Sequence, residues 1–165
     1  MTRTPAWSLF VRLSHWLVAA SVLVNLFNDT GWWHRSIGYA GLALVGLRLL
    51  YGAFSRQPSS RFWLPRWAEI RLHLQHLRQR SPEAYAGHNA LGQYAVYLMW
   101  LLIALLGFTG WLSRTDAYWG EDWPVDLHAL LANALLGLVV LHVVAVFAVS
   151  FLQRRNLLKA MLRGG

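Results

Sequence analysis

The sequence predicts an all-α membrane protein, a bundle of four transmembrane helices with an amphipathic interfacial helix between the second and the third. Three observations carry this. The chain of 165 residues is 56% hydrophobic and only 13% charged, too apolar for a soluble domain of this size. Its apolar residues fall in four blocks, each long enough at ~1.5 Å rise per residue to cross a hydrocarbon core of roughly 30 Å. Histidines stand inside or at the mouths of these blocks, where an unpartnered imidazole is costly and therefore marks function. The whole chain reads as one integral-membrane domain with spans over residues 7–27, 34–54, 88–112 and 128–152.

The first span carries Arg12 near its start and His15 about two turns further in. Met1-Thr2-Arg3 leads straight into it and no small-residue cleavage site follows, so it reads as an uncleaved helix and not a signal peptide. Asn28-Asp29-Thr30-Gly31 breaks it, Trp32 and Trp33 follow as interfacial anchors, and His34 opens the second span. Between residues 55 and 87 the chain turns polar. Within RFWLPRWAEIRLHLQHLRQR, Trp63, Trp67, Ile70, Leu74 and Leu77 recur at intervals of three and four with arginines opposite, the pattern of a helix lying on the membrane surface. His73 and His76 of that helix are expected in solvent. The third span starts at His88 and ends among Gly107, Thr109 and Gly110, small residues that let helices approach closely. An acidic, aromatic connection follows, with Asp116, Glu121, Asp122 and Asp126. The fourth span, HALLANALLGLVVLHVVAVFAVSFL, is the most apolar.

The formal charge of +8 is not a nucleic-acid signature, because the arginines flank apolar runs instead of forming a basic face, and lipid headgroups are the partner they fit. They cluster on one side: around Arg3 and Arg12, from Arg56 to Arg80, and from Arg154 to Arg163, against Arg35 and Arg114 on the other. The positive-inside bias then puts both termini in the cytoplasm and the acidic loop outside, in a bacterial inner membrane. The absence of cysteine excludes disulfides, iron–sulfur clusters and covalent haem attachment through thioethers.

Fourteen residues separate His128 from His142, which brings the second ring to within about 40° of the first and roughly 21 Å along the axis. His15 matches His142 in depth from the basic side, and His34 matches His128 on the other. Two layers of two imidazoles are the ligand count for two bis-histidine haems, His15 with His142 and His34 with His128. A small residue follows each by one turn: Ala19, Gly38, Ala132 and Ala145. One zinc site is excluded, since layers about 20 Å apart cannot supply a single tetrahedral cluster. Arg48, the one charge placed inside a span, lies fourteen residues past His34 and so on nearly the same face, at the level of the inner layer. No acidic residue lies in a span, so a haem propionate is the anion expected beside it, with snorkelling to the headgroups as the alternative. His88 is a candidate contact to a propionate or a quinone.

VRLSHW, HRSIGYAGLALVGLRLLYG, GHNALGQYAVYLMWLLIALLGFTGWL and HALLANALLGLVVLH, with the closing NLLKAM, together resemble the bacterial cytochrome b561 and nickel–iron hydrogenase b-type cytochrome superfamily, in its short four-helix branch. The resemblance implies two b haems on His15, His34, His128 and His142, and electron transfer between a quinone pool and a periplasmic redox partner such as a cytochrome c. The superfamily's hydrogenase subunits carry a longer, fifth-helix-like region to which nothing here corresponds, which points to a small shuttle. Two other readings stay open: a superoxide:quinone oxidoreductase of the same fold, and a haem-free membrane anchor of a larger complex. Whether the chain is an enzyme in its own right is undecided by sequence.

Overall fold

Ser8 opens the first helix by accepting a hydrogen bond on its Oγ from the Val11 amide at 3.3 Å, satisfying one of the amides a helix start leaves unpaired. In the computed structural model, which describes residues 7–57, 60, 63–79, 89–154 and 156–163, this helix, α1, spans Leu9–Leu26. It is followed by α2 (Gly31–Phe54), α3 (Trp67–Gln79), α4 (Ala90–Leu112), a 3₁₀ turn (Asp116–Tyr118), α5 (Trp123–Leu152) and α6 (Leu157–Arg163). No strand occurs among the described residues. The four long helices are each apolar and long enough to span a bilayer.

Local chemistry explains most of the boundaries. Gly31 takes a left-handed φ of +95°, which only glycine adopts without strain, and so lets α2 begin three residues before His34. Asn89 caps α4 through its Oδ1, which accepts from the Gly92 amide at 2.7 Å. Pro124 in the first turn of α5, with Asp126 beside it, starts that helix five residues ahead of His128; a proline is at home there because its missing N–H has no carbonyl to reach.

α1 packs on α2, α4 on α5, and α2 crosses α4 to join the two hairpins. Val45, Leu102, Ile103 and Leu135 form the buried centre, with Val18, Leu42, Leu106 and Leu138 against it. α2 and α4 come close because Gly107 has no side chain: a Cβ there would stand 2.7 Å from Leu42 Cδ2. The outer faces are left apolar and exposed, among them Leu13, Leu50, Leu101, Leu141 and Phe147, as expected where lipid and not water is the solvent. α1 and α5 are not among the closely packed pairs.

The polar segment before α3 is fastened to the basic end of the bundle. Tyr94 and Tyr97 of α4 donate their hydroxyls to the carbonyls of Pro65 and Trp63, at 3.0 and 2.9 Å. α3 then lies along α4 and departs from the sequence expectation in one respect: His73 is buried, at 1% exposure, on the face shared with Ile70 and Leu77, whereas Trp67 and Leu74 are exposed. The hydrophobic periodicity identifies an amphipathic helix but not which edge of its apolar stripe docks, and here docking on α4 takes the histidine in and leaves Trp67 outside.

Candidate functional site

Two pairs of imidazoles face each other across the bundle. His15 of α1 and His142 of α5 have ring centres 6.4 Å apart with planes inclined at 53°. His34 of α2 and His128 of α5 have centres 6.0 Å apart, inclined at 64°. The fourteen-residue spacing on α5 sets the two pairs roughly 21 Å apart along the helix axis. All four rings are half-buried, and each pair joins helices from different hairpins.

The separations discriminate between two kinds of histidine pair. With a ring nitrogen about 1.15 Å from the ring centre, a direct N–H···N hydrogen bond of about 2.9 Å would put the centres roughly 5.2 Å apart. Two imidazoles binding one metal from opposite sides, at about 2 Å per bond, have centres roughly 6.3 Å apart. Both pairs fit the second arrangement. They also lie away from the closest helix contacts, since α1 and α5, which carry His15 and His142, are not among the closely packed pairs.

The outer pair is held in a defined tautomer. His34 Nδ1 meets the Asn28 carbonyl at 2.5 Å, so the short turn between α1 and α2 supplies an acceptor that requires a proton on Nδ1 and leaves Nε2 without one. His128 Nδ1 meets Thr109 Oγ1 at 2.9 Å. Thr109 is buried, at 2% exposure, and its hydroxyl hydrogen goes to the Leu105 carbonyl at 2.9 Å, so the oxygen is left to accept from the imidazole. Metal-binding histidines are held in this way, with one nitrogen committed to the protein and the other presented. Gly110 makes room for the ring, because a Cβ there would lie 3.3 Å from His128 Cε1.

Around this pair opens a cleft of about 800 Å³, its mouth included, lined by Val22, Leu106, Leu135 and the small residues Gly38, Gly107, Gly110 and Ala132. Asn25, Arg35 and Tyr39 provide its polar edge. Asn25 Nδ2 donates to the His34 carbonyl at 3.0 Å, and beside it the Asn25 Oδ1 and Asn28 Nδ2 are buried without a hydrogen-bond partner. An apolar slot with small-residue walls and axial imidazoles suits a flat macrocycle with a metal at its centre.

At the inner pair, the His15 ring meets the Trp16 ring edge-on at 5.3 Å. Arg48 sits at the same end of the bundle, buried at 8% exposure. Its Nη1 donates to the Ser60 carbonyl at 3.2 Å, and its guanidinium carbon stands 5.9 and 5.8 Å from the ring centres of Tyr51 and Trp100. Two aromatic rings and a backbone oxygen thus stand beside this cation. His88 lies outside the described residues.

The structure brings together the histidine pairs expected from the sequence, His15 with His142 and His34 with His128, and adds ring contacts that the sequence does not indicate. Thr109 showed only as a small residue at a close approach, and Asn28 acts through its backbone carbonyl, which leaves no mark in a side-chain pattern. Arg35 counted as a misplaced positive charge and not as part of a cleft wall.

The family model described as prokaryotic cytochrome b561 matches residues 6–164. Cytochrome b562 of Cereibacter sphaeroides is 32% identical over 99% of this chain and 99% of its own length. A probable Ni/Fe-hydrogenase B-type cytochrome subunit of Azotobacter vinelandii is 24% identical, covering 93% of this chain and 84% of that protein, and a protein of the same description from Azotobacter chroococcum mcd 1 matches equally. No solved structure matches the chain.

Thr109→Val keeps the volume near His128 and removes the acceptor for its Nδ1. Second-layer partners of this kind are worth about 10- to 100-fold in affinity for the bound group. A haem held by His34 and His128 would therefore leave the Thr109→Val protein faster than the wild type on dialysis in detergent against a scavenger such as apomyoglobin; an equal rate of loss would leave Thr109 with no orienting role.

Proposed function

The chain belongs to the prokaryotic cytochrome b561 family, b-type cytochromes that carry electrons in the bacterial membrane, and we propose that it holds two b haems, His15 with His142 and His34 with His128, and passes electrons through them between the quinone pool and a periplasmic redox partner. The observation that carries this is the presence of two stacked imidazole pairs at the separation of trans metal ligands. The haems supply reversible one-electron chemistry at iron. The chain's residues do the rest. His15 with His142 and His34 with His128 would hold the two irons, and a pair of imidazoles on each would suit electron transfer over oxygen activation. Thr109 and the Asn28 carbonyl keep the outer imidazoles presenting Nε2. The apolar walls exclude water and lower the local dielectric, which raises the weight of every nearby charge.

The excess of Arg and Lys at one end supports an orientation with both termini cytoplasmic. The inner pair then lies on the cytoplasmic side and the outer pair faces the periplasm beside exposed Asp116, Glu121 and Asp122 of the connecting loop and Asp126 in the first turn of α5. These carboxylates complement a partner with a basic surface. Buried Arg48 is the cation of the inner layer, and we assign it to a propionate of the haem on His15 and His142. His88 remains a contact to a propionate or a quinone on sequence grounds alone.

Three outcomes test the proposal. Pyridine haemochrome titration of the purified protein gives two haems per chain, and His142→Ala and His34→Ala each give one; a single haem in the wild type, or an unchanged count in His142→Ala, sinks the assignment. Reduction of a basic c-type cytochrome slows as ionic strength rises, because screening shortens the reach of the acidic loop, and neutralising its four carboxylates removes that dependence; a flat salt profile in the wild type argues against docking there. Arg48→Leu lowers the midpoint potential of the inner haem or loses that haem, since a nearby positive charge favours the reduced form. Both haems titrating as in the wild type would show that Arg48 serves only the Ser60 carbonyl and its flanking rings.

A further inference from the structure

The last helix lies against the end of α1. Ser150 of α5 accepts from the Leu157 amide at 3.2 Å, and Asn156 caps α6 by accepting from the Lys159 amide at 2.7 Å. The reversal between the helices uses Arg154 in a left-handed conformation, φ +52°, a strained choice for a residue with a Cβ. At its other end α6 is gripped by α1: Arg12 Nη2 donates to the Leu162 carbonyl at 2.8 Å and Trp16 Nε1 to the Met161 carbonyl at 3.4 Å. α6 is therefore fastened to α5 at its start and to α1 at its finish, and these are the two helices that present His142 and His15 and that do not form one of the closely packed pairs. It straps the basic end of the inner slot.

Arg12 stands between strap and ligand. It precedes His15 by three residues, so the two share a face of α1. Its Nη2 is committed to α6, but its Nε is buried with no hydrogen-bond partner. Leaving a buried donor of a charged group unsatisfied is costly, and among the described residues no carboxylate pairs with this guanidinium. The partner that such a donor suits is an anion, and the position lies one turn from His15. We propose that Arg12 binds a carboxylate of the cofactor held by His15 and His142 while its other edge holds the Leu162 carbonyl, so that filling the inner slot fastens the C-terminal helix across it. This rests on the dihaem reading and adds to it a ligand contact and a coupling between cofactor loading and the order of α6.

Two measurements on the full-length holoprotein in detergent test it. In a potentiometric titration followed in the visible absorption bands, Arg12→Gln shifts one haem to lower potential with the other unmoved, and Arg12→Lys, which keeps the charge, recovers part of the shift. In hydrogen exchange, amides of residues 157–163 exchange faster in His142→Ala than in the wild type, while those of α2 and α4 do not change. Arg12→Gln with two haems and wild-type potentials, or equal exchange of α6 with and without the inner cofactor, overturns the inference. If Arg12→Gln does not accumulate, the exchange comparison alone decides. A wild type lacking two haems would instead sink the dihaem reading itself, so the two failures are distinguishable.

Discussion

An imidazole in the hydrocarbon layer has no water to bond, so each of its nitrogens must find something else, and this requirement organises the bundle. Nδ1 of His34 and of His128 is met by protein oxygens, the Asn28 carbonyl and the Thr109 hydroxyl. That leaves Nε2 of each ring free for a metal. The gap between paired rings has a definite width, ring centres 6.0 and 6.4 Å apart, and it persists because the apolar contacts that close the bundle run elsewhere: α1 to α2, α4 to α5, and α2 to α4 through Val45, Leu42, Leu102 and Gly107. Had α1 packed fully on α5, the inner rings would be driven into direct contact. The core is therefore placed to one side of the histidines, and the slots are what its placement leaves open.

The two ends of the bundle solve different electrostatic problems. At the acidic end, carboxylates stay exposed and the single cation near the cleft, Arg35, lines its edge. At the basic end, charge is carried inward. Arg48 is shielded by Tyr51 and Trp100 and bonded to the Ser60 carbonyl, so a guanidinium that cannot lose its proton is accommodated by backbone dipole and ring faces. The same residues tie down the segment that leads into α3, because Tyr94 and Tyr97 hold its carbonyls from the other side. A polar linker that would otherwise be free of the bundle becomes part of its cap. Arg12 and Trp16 do the same for α6, and both caps border the inner histidine pair.

The sequence by itself determined the membrane class, the four spans and the two histidine layers, and the reasons are one-dimensional. Span length follows from bilayer thickness, and the His128 to His142 spacing follows from helical pitch, so both can be counted along the chain. The amphipathic character of α3 was legible in the same way. What the tertiary structure decided is whatever depends on which helix meets which. Burial of His73 depends on the edge of α3 that docks on α4. The tautomer of His128 depends on Thr109 arriving from another helix with its own hydrogen already given to Leu105. The contact of His34 depends on a carbonyl in the α1–α2 turn, and a carbonyl belongs to every residue type. Arg12 reads in sequence as one more flanking positive charge; only the fold of α6 back onto α1 commits one side of its guanidinium and leaves a buried donor beside His15. Periodicity specifies where a side chain sits on its own helix, whereas its hydrogen-bond partner is chosen by three-dimensional packing.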